Sequence, residues 1–214
     1  MNQAPKSWQR IIAVPFALAV LAAPAWAGKF SFHSTGEAAD AYFSSVDESG
    51  CVFTNVAVFT SESTIVFHIP PGAPDSQPSS VAEIAISQYD VCTGEVMIGA
   101  NCFAEALPDP AFEVSGGTLA SATLDTNVQC FDFDRGVSFV VAADVTWTGI
   151  GEVERQTTNT HLETVNGRIH AKFKGLSRSA SMTGSVSDGS TNFIANATGT
   201  GGIRNDTSAE VIID

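Results

Sequence analysis

The stretch HLETVNGRIHAKFK, residues 161–174, contains the clearest hairpin signal in the chain. Asn166 and Gly167 lie at its centre, and Asn-Gly is a preferred pair for a two-residue type I′ turn because both turn positions need a positive φ. A turn of this kind joins two antiparallel strands. The predicted cross-strand partners are Glu163 with His170 and His161 with Lys172.

The two sides of this predicted hairpin differ in polarity, because successive side chains of a strand point to opposite faces of the sheet. We expect one face to pack on a core and the other to meet solvent. The first face collects Leu162, Thr164, Ile169, Ala171 and Phe173, and the second collects His161, Glu163, Arg168, His170, Lys172 and Lys174.

The rest of the chain repeats this pattern of strands and turns. After Gly28, short runs rich in Val, Ile, Thr and Phe alternate with Gly, Asp, Ser and Pro, and helical periodicity is hard to find. The pattern predicts an all-β protein, either an antiparallel β-sandwich or, as the alternative, a partly open β-barrel. Residues 70–80 (PPGAPDSQPSS) form the long predicted loop. The predicted strands are 29–34, 39–46, 51–60, 64–69, 81–92, 95–104, 118–131, 137–148, 152–165, 168–182, 191–198 and 208–214.

Four cysteines, Cys51, Cys92, Cys102 and Cys130, allow two disulfides with three possible connectivities. An even number of cysteines in an oxidising compartment is typical of a disulfide framework. No Cys-x-x-Cys spacing occurs, so structural zinc or a thiol redox centre is not favoured. The two disulfides are therefore predicted to staple the β fold.

An internal similarity bears on how the cysteines pair. Residues 54–59 (TNVAVF) resemble 126–131 (TNVQCF), and residues 90–96 (DVCTGEV) resemble 144–149 (DVTWTG). The similarity indicates two copies of one strand-loop-strand unit. Chance is the alternative explanation, because strands are built from few residue types.

Two arguments then select one connectivity. In the repeated unit, Cys51 and Cys92 lie opposite each other on neighbouring antiparallel strands. A tight turn at residues 93–94 places Cys102 about 20 Å down the next strand from Cys92, which exceeds the reach of a disulfide. We therefore predict the pairs Cys51–Cys92 and Cys102–Cys130.

Residues 1–27 have the order of a secretory signal peptide. Two cations precede an apolar run over residues 11–25, and small residues then form a cleavage pattern. We expect cleavage after Ala27 and a single all-β domain over residues 28–214, secreted, periplasmic or at the cell surface. An N-terminal membrane anchor is disfavoured because the run contains two prolines and is shorter than the roughly 20 residues that cross a bilayer.

The chain is acidic, with 10 Lys and Arg against 23 Asp and Glu and a formal charge of −13. Removal of residues 1–27 takes two cations and no acid, which leaves eight cations against 23 acids and a charge of −15. Such a charge disfavours nucleic acid and anionic membranes as partners. It is also what keeps a protein soluble outside the cell, and it identifies no ligand or protein partner.

Motifs of the common enzyme classes do not occur in the sequence. There is no Gly-x-Ser-x-Gly, Ser-x-x-Lys, His-Glu-x-x-His, P-loop or dinucleotide fingerprint. We therefore expect a non-catalytic binding or structural module at the cell surface or in the surrounding space. The alternative is a secreted hydrolase or metal-dependent enzyme with its site on the face that carries His161, Glu163 and His170.

Two groups of side chains are candidate metal ligands. His161, Glu163 and His170 are two imidazoles and a carboxylate on one face, a set that binds zinc, although the cations beside them oppose a metal ion. Asp132 and Asp134 lie in the turn DFDRG, which has oxygen ligands suited to calcium but is interrupted by an arginine. The alternatives are a cross-strand ion pair for the first group and an ordinary β-turn for the second.

Aromatic residues argue against a sugar-binding platform. Such platforms need exposed flat rings, and Trp147 is the one tryptophan that remains after residues 1–27 are removed. Phenylalanine is a common core residue, and most of the aromatic residues here are phenylalanines. We predict that Trp147 is a core anchor rather than a binding surface.

Overall fold

The structure, a computed structural model, is described over residues 30–68, 73–164, 167–195 and 197–213. The predicted signal peptide therefore lies outside the described residues. Within them every regular element is a strand, and the predicted all-β class is confirmed. A long apolar helix that could cross a membrane is not found in this part of the chain.

Ten strands run through the described residues, and every ladder between them is antiparallel. Their composition explains why they form, since β-branched and aromatic residues recur at alternate positions. They are β1 (Phe30–Val46), β2 (Val52–His68), β3 (Asp75–Asp90), β4 (Glu95–Glu105), β5 (Phe112–Ser115), β6 (Ser121–Asp132), β7 (Val137–Gly149), β8 (Glu154–Thr164), β9 (Gly167–Ser187) and β10 (Thr198–Ile213).

Eight of these strands close into a ring of ladders. The order around the ring is β10, β1, β2, β3, β4, β6, β7, β9 and back to β10. Two further strands branch from it, because β5 pairs with β6 and β8 pairs with β9. The arrangement is ring-like but is not a regular barrel.

The hydrophobic core fills the inside of the ring. Alternate residues of each strand point inward, as Ala39 and Ala41 do on β1 and Val56 and Val58 do on β2. Trp147 is completely buried, and its indole N–H donates a hydrogen bond of 2.8 Å to the backbone carbonyl of residue 40. The prediction that Trp147 is a core anchor is confirmed.

The narrowest ladder of the ring joins β4 to β6. It runs only from the pair Ala100 and Asp132 to the pair Phe103 and Gln129, whereas the β6–β7 ladder runs the whole length of β6. Cys102 and Cys130 are ladder partners within it and form a disulfide. The covalent bond therefore spans the seam at which the ring has the fewest backbone hydrogen bonds.

The second disulfide closes one end of the β2–β3 ladder. Cys51 and Cys92 flank the last ladder pair, Val52 and Asp90, and the N–H of Val91 donates a hydrogen bond of 2.8 Å to the carbonyl of Cys51. Both predicted pairings are confirmed.

The proposed internal repeat corresponds to the structure only in part. Residues 54–59 and 126–131 both lie within long strands, β2 and β6. Residues 90–96, however, make the turn between β3 and β4, whereas 144–149 lie within β7. The pairing of the cysteines follows from the β2–β3 ladder itself and does not require a duplication.

Six strands continue past one end of the ring as an open sheet, which we call the wing. Its strand order is β3, β2, β1, β10, β9, β8. The wing comprises β8 together with residues 167–175 of β9, 206–213 of β10, 30–36 of β1, 62–68 of β2 and 75–80 of β3.

The apolar side of the sheet changes between the ring and the wing. Phe32 and Phe67 are ladder partners in the wing, and each lies an odd number of residues from the core positions of its own strand, Ala39 on β1 and Val58 on β2. An odd separation along an uninterrupted strand places side chains on opposite faces. The apolar face of the wing is therefore the one that does not continue the inside of the ring.

Several local predictions are wrong. Residues 75–80 of the predicted loop belong to β3, because they complete the ladder with β2. Residues 191–195, predicted as part of a strand, form a bridge and a turn. The short strand β5 was not predicted. Leu162, expected to face a core, is 52 % exposed, since β8 lies in the wing beyond the ring.

Loss of the two disulfides is predicted to expose different parts of the sheet to local opening. Replacing Cys102 and Cys130 by alanine lowers the free energy of unfolding by about 3–4 kcal/mol in the chain-entropy treatment of a loop of this length. Because the bond spans the short β4–β6 ladder, amide hydrogen exchange along β4 also accelerates.

The matched control replaces Cys51 and Cys92, which close a loop of similar length. We expect a similar loss of stability but unchanged amide protection in the middle of the β2–β3 ladder, because that ladder is long. Equal acceleration of exchange along β4 in both double variants would contradict the role given to the seam.

Candidate functional site

The histidines gather on one face of the wing. His161 and His170 are ladder partners on β8 and β9. Residue 210 of β10 is the ladder partner of His33 on β1 and of Lys172 on β9. Lys172 lies two residues from His170. Ladder partners share a face, and so do residues two apart on a strand. Three of the four histidines of the chain therefore face the same way.

The fourth histidine and three cations share this face. His68 lies two residues from Val66, the ladder partner of His33. The face, which we call the histidine face, also carries alternate residues of β9, namely Arg168, Lys172 and Lys174. Sequence reasoning placed His161 and His170 here but missed His33 and His68, because they reach the face through ladders between strands far apart in the chain.

The predicted register of the β8–β9 hairpin is wrong by two residues. His161 pairs with His170 rather than with Lys172, and Glu163 pairs with Arg168 rather than with His170. The reason is that Gly167 is already in the ladder, as the partner of residue 164. Asn166 itself lies outside the described residues. A shift of two leaves every side chain on its predicted face.

The corrected register brings the two imidazoles of His161 and His170 into direct contact. Their Nδ1 atoms lie 3.0 Å apart, and the rings meet edge to face with centroids 4.1 Å apart. The Nε2 atom of His161 points instead toward Glu163, whose carboxylate oxygen is 3.9 Å away. Glu163 also lies 3.6 Å from the guanidinium of Arg168.

The predicted zinc triad is thus brought together on one face, but its three members do not present ligand atoms to one point. Among the described residues, the cluster of metal-binding side chains found within 4.8 Å of one another is Cys51, Asp90 and Cys92, where both sulfurs are already bonded. The side chains of His161 and Glu163 are 54 % and 70 % exposed. The triad as a metal site remains a prediction.

The turn after β6 is organised by a completely buried carboxylate. Asp132 accepts hydrogen bonds from the N–H groups of Asp134 and Arg135 and from the guanidinium of Arg135. Burial by itself would raise the pKa of Asp132, but these hydrogen bonds together hold the pKa below its usual range. Both carboxylate oxygens are therefore used by donors of the chain. Calcium at Asp132 and Asp134 remains a prediction.

A second charged cluster, which sequence reasoning missed, lies on the outside of the ring. Nη2 of Arg204 is 3.4 Å from Asp40, while its Nε is buried without a hydrogen-bond partner among the described residues. Partial burial raises the pKa of Asp40 and of Asp206, and the charge of Arg204 opposes both shifts. Asp40 and Arg204 meet only through the β1–β10 ladder, so no local sequence signal identifies their contact.

A shallow groove of about 470 Å³ lies where the ring meets the wing, between β1, β2 and β10. Glu37 and Glu62 are ladder partners at this groove, and the amide of Asn205 donates a hydrogen bond of 2.7 Å to Glu37. The groove is open to solvent. An open groove does not exclude water from a reacting group, as an enzyme site usually does.

Comparison with known proteins gives no further assignment. No protein-family model matches the chain, and no curated protein is similar to it.

Replacing Asp132 by asparagine is predicted to lower the free energy of unfolding by about 1–3 kcal/mol at neutral pH, because buried hydrogen bonds to a charged acceptor are lost. The lowered pKa means that this stabilisation is present above the unfolded-state value of about 3.9 and disappears as the pH falls through the folded-state value. Urea unfolding at pH 7 and pH 3 measures both effects, and the variant and the wild type should differ less at the lower pH.

The matched control is Asp134→Asn in the same turn. The side chain of Asp134 is exposed, so this variant is expected to stay within about 0.5 kcal/mol of the wild type. An equal loss of stability in the two variants would contradict the role of Asp132 in organising the turn.

Proposed function

We propose that this protein is an exported, non-catalytic module that binds or supports a partner at the cell surface or in the surrounding space. The observation that carries the proposal is the wing. Six strands extend beyond the closed ring as an open sheet. The wing offers two broad faces of opposite character, one apolar and one bearing the histidines.

The apolar face of the wing supports a binding role. Phe32 and Phe67 pack with ring centroids 5.5 Å apart on this face, and Ile65 lies two residues along the same strand. Leu162 of β8 extends the face to its edge and is 52 % exposed. An apolar sheet face is stable when a second layer covers it, and contiguous exposed apolar surface is typical of interaction sites.

The polar groups support a role without catalysis. Acid-base catalysis needs side chains held in place near a substrate, usually where water is excluded. His161 and Glu163 are more than half exposed, and the groove beside Glu37 is open. The alternative function, a hydrolase or metal-dependent enzyme at His161, Glu163 and His170, lacks such an enclosure.

Export is supported by the cysteines and by the N-terminal sequence. All four cysteines are paired, which suits an oxidising compartment outside the cytoplasm. Residues 1–27 have the charged, apolar and small-residue order of a cleavable signal.

The first test is for catalysis. Residues 28–214, produced with both disulfides formed, are assayed against a panel of ester, amide, glycoside and phosphate substrates with and without Zn²⁺. We expect no turnover above buffer, because the side chains of His161 and Glu163 are exposed to water. Turnover by the wild type that is lost in the His161→Ala/His170→Ala variant would overturn the proposal. It would support the alternative, a hydrolase or metal-dependent enzyme at this face.

The second test is for binding through the wing. The same protein is sedimented with the envelope fraction of the cells that produce it, and we expect the wild type to co-sediment. Leu162→Asp should reduce the bound fraction several-fold, because it places a charge on the apolar face.

Val140→Asp is the matched control, because Val140 is a similarly exposed aliphatic residue (50 %) on the ring. It should bind like the wild type. Absence of co-sedimentation, or equal loss in the two variants, would contradict a binding role for the wing.

A further inference from the structure

We propose that His161 and His170 together bind one divalent transition-metal ion, Zn²⁺, Ni²⁺ or Cu²⁺, through their Nδ1 atoms. The inference is independent of the function proposed above, because a metal ion can bind on the histidine face whether or not the apolar face meets a partner. In this site the two histidines are the protein ligands. Glu163 is not a ligand but lies beside Nε2 of His161.

The distance between the two nitrogens carries the inference. With zinc–nitrogen bonds of about 2.0–2.1 Å and a tetrahedral angle, two imidazole nitrogens on one ion lie about 3.3 Å apart. The Nδ1 atoms of His161 and His170 are 3.0 Å apart. A small opening of the pair, with rotation of the two rings so that both lone pairs face one point, would admit the ion between them.

The ladder holds the two rings in place before any ion arrives. His161 and His170 are direct partners in the β8–β9 ladder, and their rings stand at 79° to each other. Few rotamers are then lost on binding, so the cost in conformational entropy is small.

The neighbouring charges are arranged compatibly with a cation. Glu163 lies at the far edge of the His161 ring, 3.9 Å from Nε2, and a carboxylate at the second nitrogen is the usual partner of a metal-bound imidazole. The same carboxylate lies 3.6 Å from Arg168, which offsets that positive charge. Lys172 is the ladder partner of Asn159, two ladder positions away from the histidine pair.

The ligand type determines which ions fit. Imidazole nitrogen suits zinc, nickel and copper, whereas magnesium and calcium require oxygen ligands. The two imidazoles supply two positions, and water supplies the others because the side chains are exposed to solvent.

The test titrates the untagged mature protein with Zn²⁺ at neutral pH by calorimetry and by competition with a chromophoric chelator. We expect one ion per chain. His161→Ala and His170→Ala should each weaken binding at least about tenfold, because even loss of a partner behind a metal ligand costs 10–100-fold. Circular dichroism checks that each variant retains the wild-type fold.

His33→Ala is the matched control, because His33 is an exposed histidine on the same face without an imidazole opposite it. It should bind Zn²⁺ like the wild type. Equal weakening in all three variants, or no binding at millimolar Zn²⁺, would overturn the inference.

Nitrogen-detected NMR of the imidazoles gives an independent readout, because the chain has only four histidines. Zn²⁺ should move the signals of His161 and His170 and leave those of His33 and His68 in place. Mg²⁺ at the same concentration should move none. Shifts of all four signals together would show unspecific binding and contradict a site at the pair.

Discussion

The short ladder between β4 and β6 is the constraint on which the ring depends. Every other ring contact joins strands over long ladders, but this one has four residue pairs, one of which is the Cys102–Cys130 disulfide. If it opens, β4 and β6 each become the edge of an open sheet, and the buried residues between them meet water. A covalent bond at this position replaces the stability that a longer ladder would supply through hydrogen bonds and packing.

Closing the ring also determines where the functional surfaces lie. The strands β1, β2, β3, β9 and β10 are longer than the ring needs, so their ends continue as the wing. The apolar residues change face near Gly36 on β1, where a Cβ atom would lie 2.8 Å from a backbone oxygen of β2. The strands thus approach closely at the junction, and beyond it the polar side carries the histidines. The candidate metal pair and the apolar face are two sides of one sheet.

The sequence predicts the parts of this fold that depend on neighbours in the chain. The alternation around residues 161–174 correctly predicts two strands and which of their residues share a face. The turn at residues 93–94 correctly excludes a bond between Cys92 and Cys102, whereas the choice of Cys51–Cys92 depended on a repeat that the structure follows only in part. The register required knowing that Gly167 joins the ladder rather than the turn, a choice that tertiary packing makes. The prolines, glycine and serines of residues 70–80 predicted a loop, although an edge strand tolerates a proline such as Pro78.

The contacts that join distant parts of the chain could not be predicted from one sequence. His33 reaches the histidine face only because β10 lies between β1 and β9, and Arg204 meets Asp40 only through the β1–β10 ladder. These depend on strand order, which alternation does not encode. Closure of the ring through β4 and β6 also depends on strand order and could not be predicted from alternation.

The two edge strands of the wing, β3 and β8, differ in how well they can pair with a further strand. In the described chain, Pro78 sits on the β3 edge and has no N–H to offer a further strand, whereas β8 has no proline along its outer side. The missing N–H of Pro78 therefore opposes the addition of an outside strand at the β3 edge, while no proline opposes it along the described residues of β8.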